Sequence, residues 1–94
     1  MMEIAGAGDK LVVIDFCVAW SKTCKKMESK VKELSKKEPN VIFLYVDTDI
    51  VREAIYKFNL FVLPTFVFIK KNNTIDKMIG TNIAKLKVLV EKNT

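Results

Sequence analysis

The chain has 94 residues, half of them hydrophobic and 29% charged, with a formal net charge of +5. This suffices for one hydrophobic core and excludes a disordered chain, so a single domain is expected over 1–94, with 1–9 as a short lead-in. No apolar run approaches the roughly 18–20 residues that cross a bilayer, and "MMEIAGAGDK" lacks the basic start and apolar centre of a signal peptide, so a cytoplasmic protein without membrane contact is expected.

The first element is "LVVIDFCV" (11–18), a continuous apolar run rich in β-branched residues that suits a strand buried on both faces. Over 21–38 the period changes. Cys24, Met27, Val31 and Leu34 fall on one helical stripe among lysines and glutamates, and Pro39-Asn40 ends the helix. "VIFLYV" (41–46) reads as a second buried strand, completing a right-handed parallel βαβ unit. "DTD" (47–49) offers N-cap residues for a short helix lined by Val51, Ala54, Ile55 and Phe58. An apolar loop, 59–64, precedes "TFVFIK" (65–70) and "TIDKMIG" (74–80), joined through the turn-rich "KNN" as a hairpin. The last helix, 82–92, carries Ile83, Leu86, Leu89 and Val90 on one face. The order β-α-β-α-β-β-α describes an α/β domain, a four-stranded mixed sheet with helices on both faces.

Several chemistries are excluded at once. There is no histidine, so imidazole base catalysis and Cys/His metal sites are absent, and two cysteines with scattered carboxylates do not suggest a metal centre or other cofactor. The lysines alternate with Glu28, Glu33 and Glu38 and carry no aromatic-basic motif, which reads as a solvated face rather than a nucleic-acid surface. Asp15 stands inside an apolar strand, where a charge is costly to bury, and "VIFLYV" offers it no lysine. Its pKa is therefore expected to be raised. Ser21 is a natural N-cap for the following helix, and with no histidine to activate it, it is not a hydrolase nucleophile. Period two puts Leu11, Val13, Asp15 and Cys17 on one strand face. A Cys17–Cys24 bridge would need Cα atoms within about 7 Å across a strand end and a helix start. Cys24 is instead expected as an unbridged, core-facing thiol.

The element order and its punctuation resemble thioredoxin over nearly the whole chain, from Gly8 to Lys92. "GDKLVVIDFCVAWSKTCKKM" looks like that family's strand, active-site turn and helix, which typically read D-F-x-A-x-W-C-G-P-C-K. "NVIFLYVDTD", "LPTFVFIKKNNTID" and "IGTNIAKL" look like its next strand, its cis-proline hairpin and its final glycine and helix. The resemblance implies the thioredoxin fold without its N-terminal strand, which leaves the edge beside 41–46 open to another chain.

It also implies disulfide exchange, in which one thiolate attacks a substrate disulfide and a second thiol releases the product. In the family register Ser21 occupies the attacking position and Cys24 the resolving one, a motif changed to W-S-K-T-C. Asp15 matches the family's buried acid. Trp20, Lys22, Thr23, Val62, Leu63, Pro64, Thr65 and Gly80 match the substrate groove, with Pro64 cis and the Leu63 backbone facing an extended peptide. The expected function is then a thioredoxin-like redox protein of weak or lost two-cysteine activity that binds protein partners through the groove, as a monomer or weak dimer. One alternative is an active disulfide reductase, through Cys24 as a monothiol or with a parental cysteine at position 21, and served by the family's reductase. Another is a non-catalytic module that assembles through the open strand edge.

Overall fold

A computed structural model describes residues 8–94; most of the lead-in expected over 1–9 lies outside them. The described chain runs β1 (Val12–Cys17), α1 (Lys22–Lys37), β2 (Ile42–Asp47), α2 (Glu53–Lys57), β3 (Thr65–Lys70), β4 (Asn73–Ile79) and α3 (Ile83–Asn93). The strands form one sheet in the order β2-β1-β3-β4. β1 pairs parallel with β2, Val12 opposite Ile42 through Cys17 opposite Asp47. It pairs antiparallel with β3, which in turn pairs antiparallel with β4. This is the expected four-stranded mixed sheet with three helices.

Strand alternation divides the core into two layers. Val13, Phe66, Phe68 and Met78 face α1 and α3 and pack on Met27, Leu34, Leu86 and Val90. Val12, Ile14, Phe16, Val67 and Ile69 face the other side and pack on Ala54 and Leu60. There the Phe16 ring meets Phe58 at 4.9 Å between centroids. The central strands β1 and β3 are covered on both sides, which is why they read as unbroken apolar runs.

β2 departs from that expectation. Only Val46 in it is fully buried and Tyr45 is exposed, because among the described residues β2 is an edge strand. The hairpin between β3 and β4 turns at Lys71-Asn72, both at positive φ (52° and 66°), the twist that suits a two-residue link. Positive φ recurs at Gly80 (104°), where the chain leaves β4. α2 begins without a side-chain cap, at Arg52, and its Ile55 is exposed rather than inward. The aspartates expected to cap it have another use, described below.

Candidate functional site

The site lies where β1 hands over to α1. β1 ends at Cys17, and Val18, Ala19 and Trp20 turn the chain, with the Ser21 amide donating to the Val18 carbonyl at 3.2 Å. Ser21 then caps α1. Its backbone is extended (φ −79°, ψ 125°) and its Oγ accepts from the Cys24 amide at 3.3 Å. This cap places Cys24 in the first turn of α1 on its inward side, one layer above β1.

Cys17 and Cys24 form a disulfide, with their Cα atoms 5.8 Å apart. Two sequence expectations are corrected by this pairing. Cys24 is neither unbridged nor without a cysteine partner, and the motif is not one in which Ser21 has replaced a needed cysteine and left a lone thiol. The tight turn at Val18–Ser21 brings the strand end and helix start within disulfide reach, which the sequence distance alone did not suggest. The signal was present: Cys17 shares a strand face with Asp15, and that face underlies the stripe carrying Cys24.

Both sulfurs belong to buried residues, Cys17 at 1% and Cys24 at 6% exposure. Beside them Asp15 is 7% exposed, and its Oδ1 is buried with no hydrogen-bond partner. Burial, reinforced by the nearby charge of Glu28 on α1, pushes its pKa from 3.8 to about 6. Tyr45, opposite Asp15 on β2, has its pKa raised by burial and by the charges of Asp47, Asp15 and Glu28. Cys24, Asp15, Glu28 and Tyr45 line one cleft of about 580 Å³ between α1 and β2.

The loop after β2 braces this turn. Asp47 accepts from the amides of Ala19 (3.4 Å) and Asp49 (2.9 Å), and Asp49 accepts from the Trp20 indole N–H at 2.6 Å. Thr48 donates its amide to the Cys17 carbonyl at 2.9 Å. Asp47 and Asp49, read from sequence as helix caps, thus hold the turn between β1 and α1; they and Glu28 are candidate-site residues that sequence reasoning missed.

The remaining residues assigned from sequence fall as follows. Trp20 is 75% exposed although its indole N–H is tied to Asp49, and Lys22 and Thr23 are exposed at the start of α1. The Leu63–Pro64 peptide bond is cis, Val62 is exposed, and Thr65 is buried with its hydroxyl donating to the Val62 carbonyl. The Pro64 carbonyl accepts from the Gly80 amide at 3.0 Å, which joins those two segments. Among the described residues no cluster of three or more His, Cys, Asp or Glu could hold a metal, and no helix is long and apolar enough to cross a membrane.

Comparison with known proteins converges on one family. The thioredoxin family model matches residues 2–92. Human thioredoxin is 38% identical over 86 residues, which cover 92% of this chain and 82% of that protein. Thioredoxin H8 of Arabidopsis thaliana is 35% identical over 92% of this chain, which spans only 58% of its length. Among solved structures, the thioredoxin of Fasciola hepatica superposes with a TM-score of 0.92 at 35% identity, covering 95% of this chain and 86% of that one. The disulfide beside a buried acid, the fold around it and these likenesses agree: the chain belongs to the thioredoxin family and is one of its redox proteins.

Proposed function

We propose that this protein is a thiol–disulfide oxidoreductase whose redox pair is Cys17 and Cys24. The observation that carries the reading is the Cys17–Cys24 disulfide placed beside the unpartnered carboxyl of Asp15. In the reduced protein Cys24 stands in the first turn of α1, at the positive helix end, and reacts as its thiolate. That thiolate attacks one sulfur of a substrate disulfide. The substrate S–S bond breaks, one substrate sulfur leaves as thiolate and takes a proton from water, and the other stays bonded to Cys24. Cys17 then loses its proton to the Asp15 carboxylate, which lies on the same face of β1, and attacks the Cys24 sulfur. The mixed disulfide breaks, the second substrate thiolate leaves, and the Cys17–Cys24 bond closes. Two electrons have passed from the dithiol to the substrate.

A carboxyl with a pKa of about 6 is suited to both halves of this cycle. Near neutral pH it is mostly ionised and accepts the Cys17 proton, and with a pKa close to ambient pH it can also donate a proton when the disulfide is reopened. Protein substrates are the natural class. An extended segment would lie along the Leu63 backbone between Trp20 and the Val62–Thr65 and Gly80 segments, above Lys22 and Thr23. The family resemblance supplies a protein reductase as the partner that reopens the bond.

The test is turnover of insulin disulfides driven by a dithiol reductant. Wild type is expected to accelerate reduction, and Cys17→Ser and Cys24→Ser are each expected to abolish the acceleration. Undiminished turnover by Cys17→Ser would show that the pair is not the working couple.

A further inference from the structure

We propose that the cleft between α1 and β2 is an entrance to the Cys17–Cys24 disulfide for a small, amino-acid-like thiol, which attacks the Cys24 sulfur. This rests on the reading of that pair as redox-active. Four observations converge on it.

The cleft holds about 580 Å³, the size of a small-molecule site. Of the two cysteines only one belongs to its wall: Cys24 lines it and Cys17 does not. A thiol entering from this side therefore meets Cys24, and Cys17 becomes the leaving group. The wall is also amphoteric. Lys25, Glu28 and Lys32 follow one another along the exposed surface of α1 as cation, anion, cation, above an apolar floor of Val31 and Phe43. A neutral thiol gains nothing from that alternation. A short peptide thiol gains from it, its carboxylates meeting the two lysines and its ammonium meeting Glu28. Finally, Asp15 lines the same cleft, and its buried Oδ1 has no hydrogen-bond partner.

The exchange balances within the site. Asp15 accepts the S–H proton of the incoming thiol, whose sulfur bonds to Cys24. The Cys17–Cys24 bond breaks, and the Cys17 sulfur leaves with the electron pair and takes the proton from Asp15. A second molecule of the thiol then attacks the sulfur of the first, releasing the small disulfide and leaving Cys24 as a thiol. Two small thiols are oxidised and the protein disulfide is reduced.

The experiment uses the oxidised chain, with glutathione as the amphoteric probe and 2-mercaptoethanol as the neutral one, read by alkylation and mass. Glutathione is expected to open the bond at a rate that saturates with its concentration, and 2-mercaptoethanol at a rate that rises linearly. The trapped mixed disulfide is expected on Cys24. In Lys25→Glu/Lys32→Glu the ratio of glutathione to 2-mercaptoethanol rates is expected to fall at least about fivefold, since two attractive contacts become repulsive. A linear glutathione dependence, an unchanged ratio in the variant, or an adduct on Cys17 would each overturn the proposal while leaving the redox pair standing. A bond that neither thiol opens would overturn both.

Discussion

Asp15→Asn is the substitution in which the energetics of this site are most open to measurement. Folding raises the Asp15 pKa from 3.8 to about 6, chiefly by burial and secondarily through Glu28. A carboxyl whose proton affinity rises on folding makes the native state bind more protons than the unfolded one between those two values. Stability therefore falls as pH rises from about 4 through 6, and the full cost is present above that. A shift of about two units at 1.36 kcal/mol each gives a cost of roughly 3 kcal/mol at neutral pH and above. Asparagine has nearly the same shape and no charge, and it inherits a position whose buried oxygen already lacks a partner. Asp15→Asn should therefore be more stable than wild type by about 2–3 kcal/mol at pH 8, with the gap closing below pH 4. For a domain of this size that is a rise of roughly 10–20 °C in Tm. Urea and thermal unfolding of both oxidised proteins at pH 3.5, 6 and 8 measure it. A stability difference that does not change between pH 3.5 and pH 8 would refute the assignment of Asp15 as a buried, strained acid.

Substitutions at three further positions test the frame around the site. Ser21→Ala removes the side-chain cap of α1 and should cost about 1 kcal/mol in urea unfolding, with Ser21→Gly costing only a few tenths. Phe68→Ala empties a fully buried position between the sheet and α1/α3 and should cost about 3–5 kcal/mol by the same measurement. Asp49→Ala frees the indole of Trp20. Its cost in stability should stay within about 1 kcal/mol, because that bond is exposed, while the fluorescence of the single tryptophan shifts toward that of a solvated indole.

The fold was legible because its central strands and long helix obey simple periods. "LVVIDFCV" and "TFVFIK" are apolar on both faces and prove to be the two inner strands, and of the Cys24, Met27, Val31 and Leu34 stripe all but the partly buried Val31 are buried. β2 misled for a physical reason. The run 41–46 is strongly apolar, yet among the described residues β2 is an edge strand that leaves much of that surface uncovered, and hydropathy does not record which strand has a neighbour. The apolar context of Asp15 signalled a raised pKa, and the family resemblance signalled a buried acid; both are found.

The disulfide was not legible, although Cys17 could be placed on the strand face of Asp15 and Cys24 on the apolar stripe of α1. Whether their Cα atoms come within reach depends on the dihedrals of the turn at Val18–Ser21, which no periodicity encodes. Asp47 and Asp49 were misread for a related reason. Aspartates before a helix usually cap it, and only the parallel pairing of β2 with β1 brings them beside Ala19 and Trp20 instead.

The account turns on whether Cys17–Cys24 works as a reversible redox couple, and a redox titration measures that directly. The protein is equilibrated in thiol–disulfide buffers of stepped potential, acid-quenched and alkylated, and its two cysteines are counted by mass. The account predicts that both thiols appear together in one two-electron transition, a tenfold change in the reduced-to-oxidised ratio for every 30 mV or so. A bond that stays closed across the whole buffer range, or two cysteines that react independently, would contradict it.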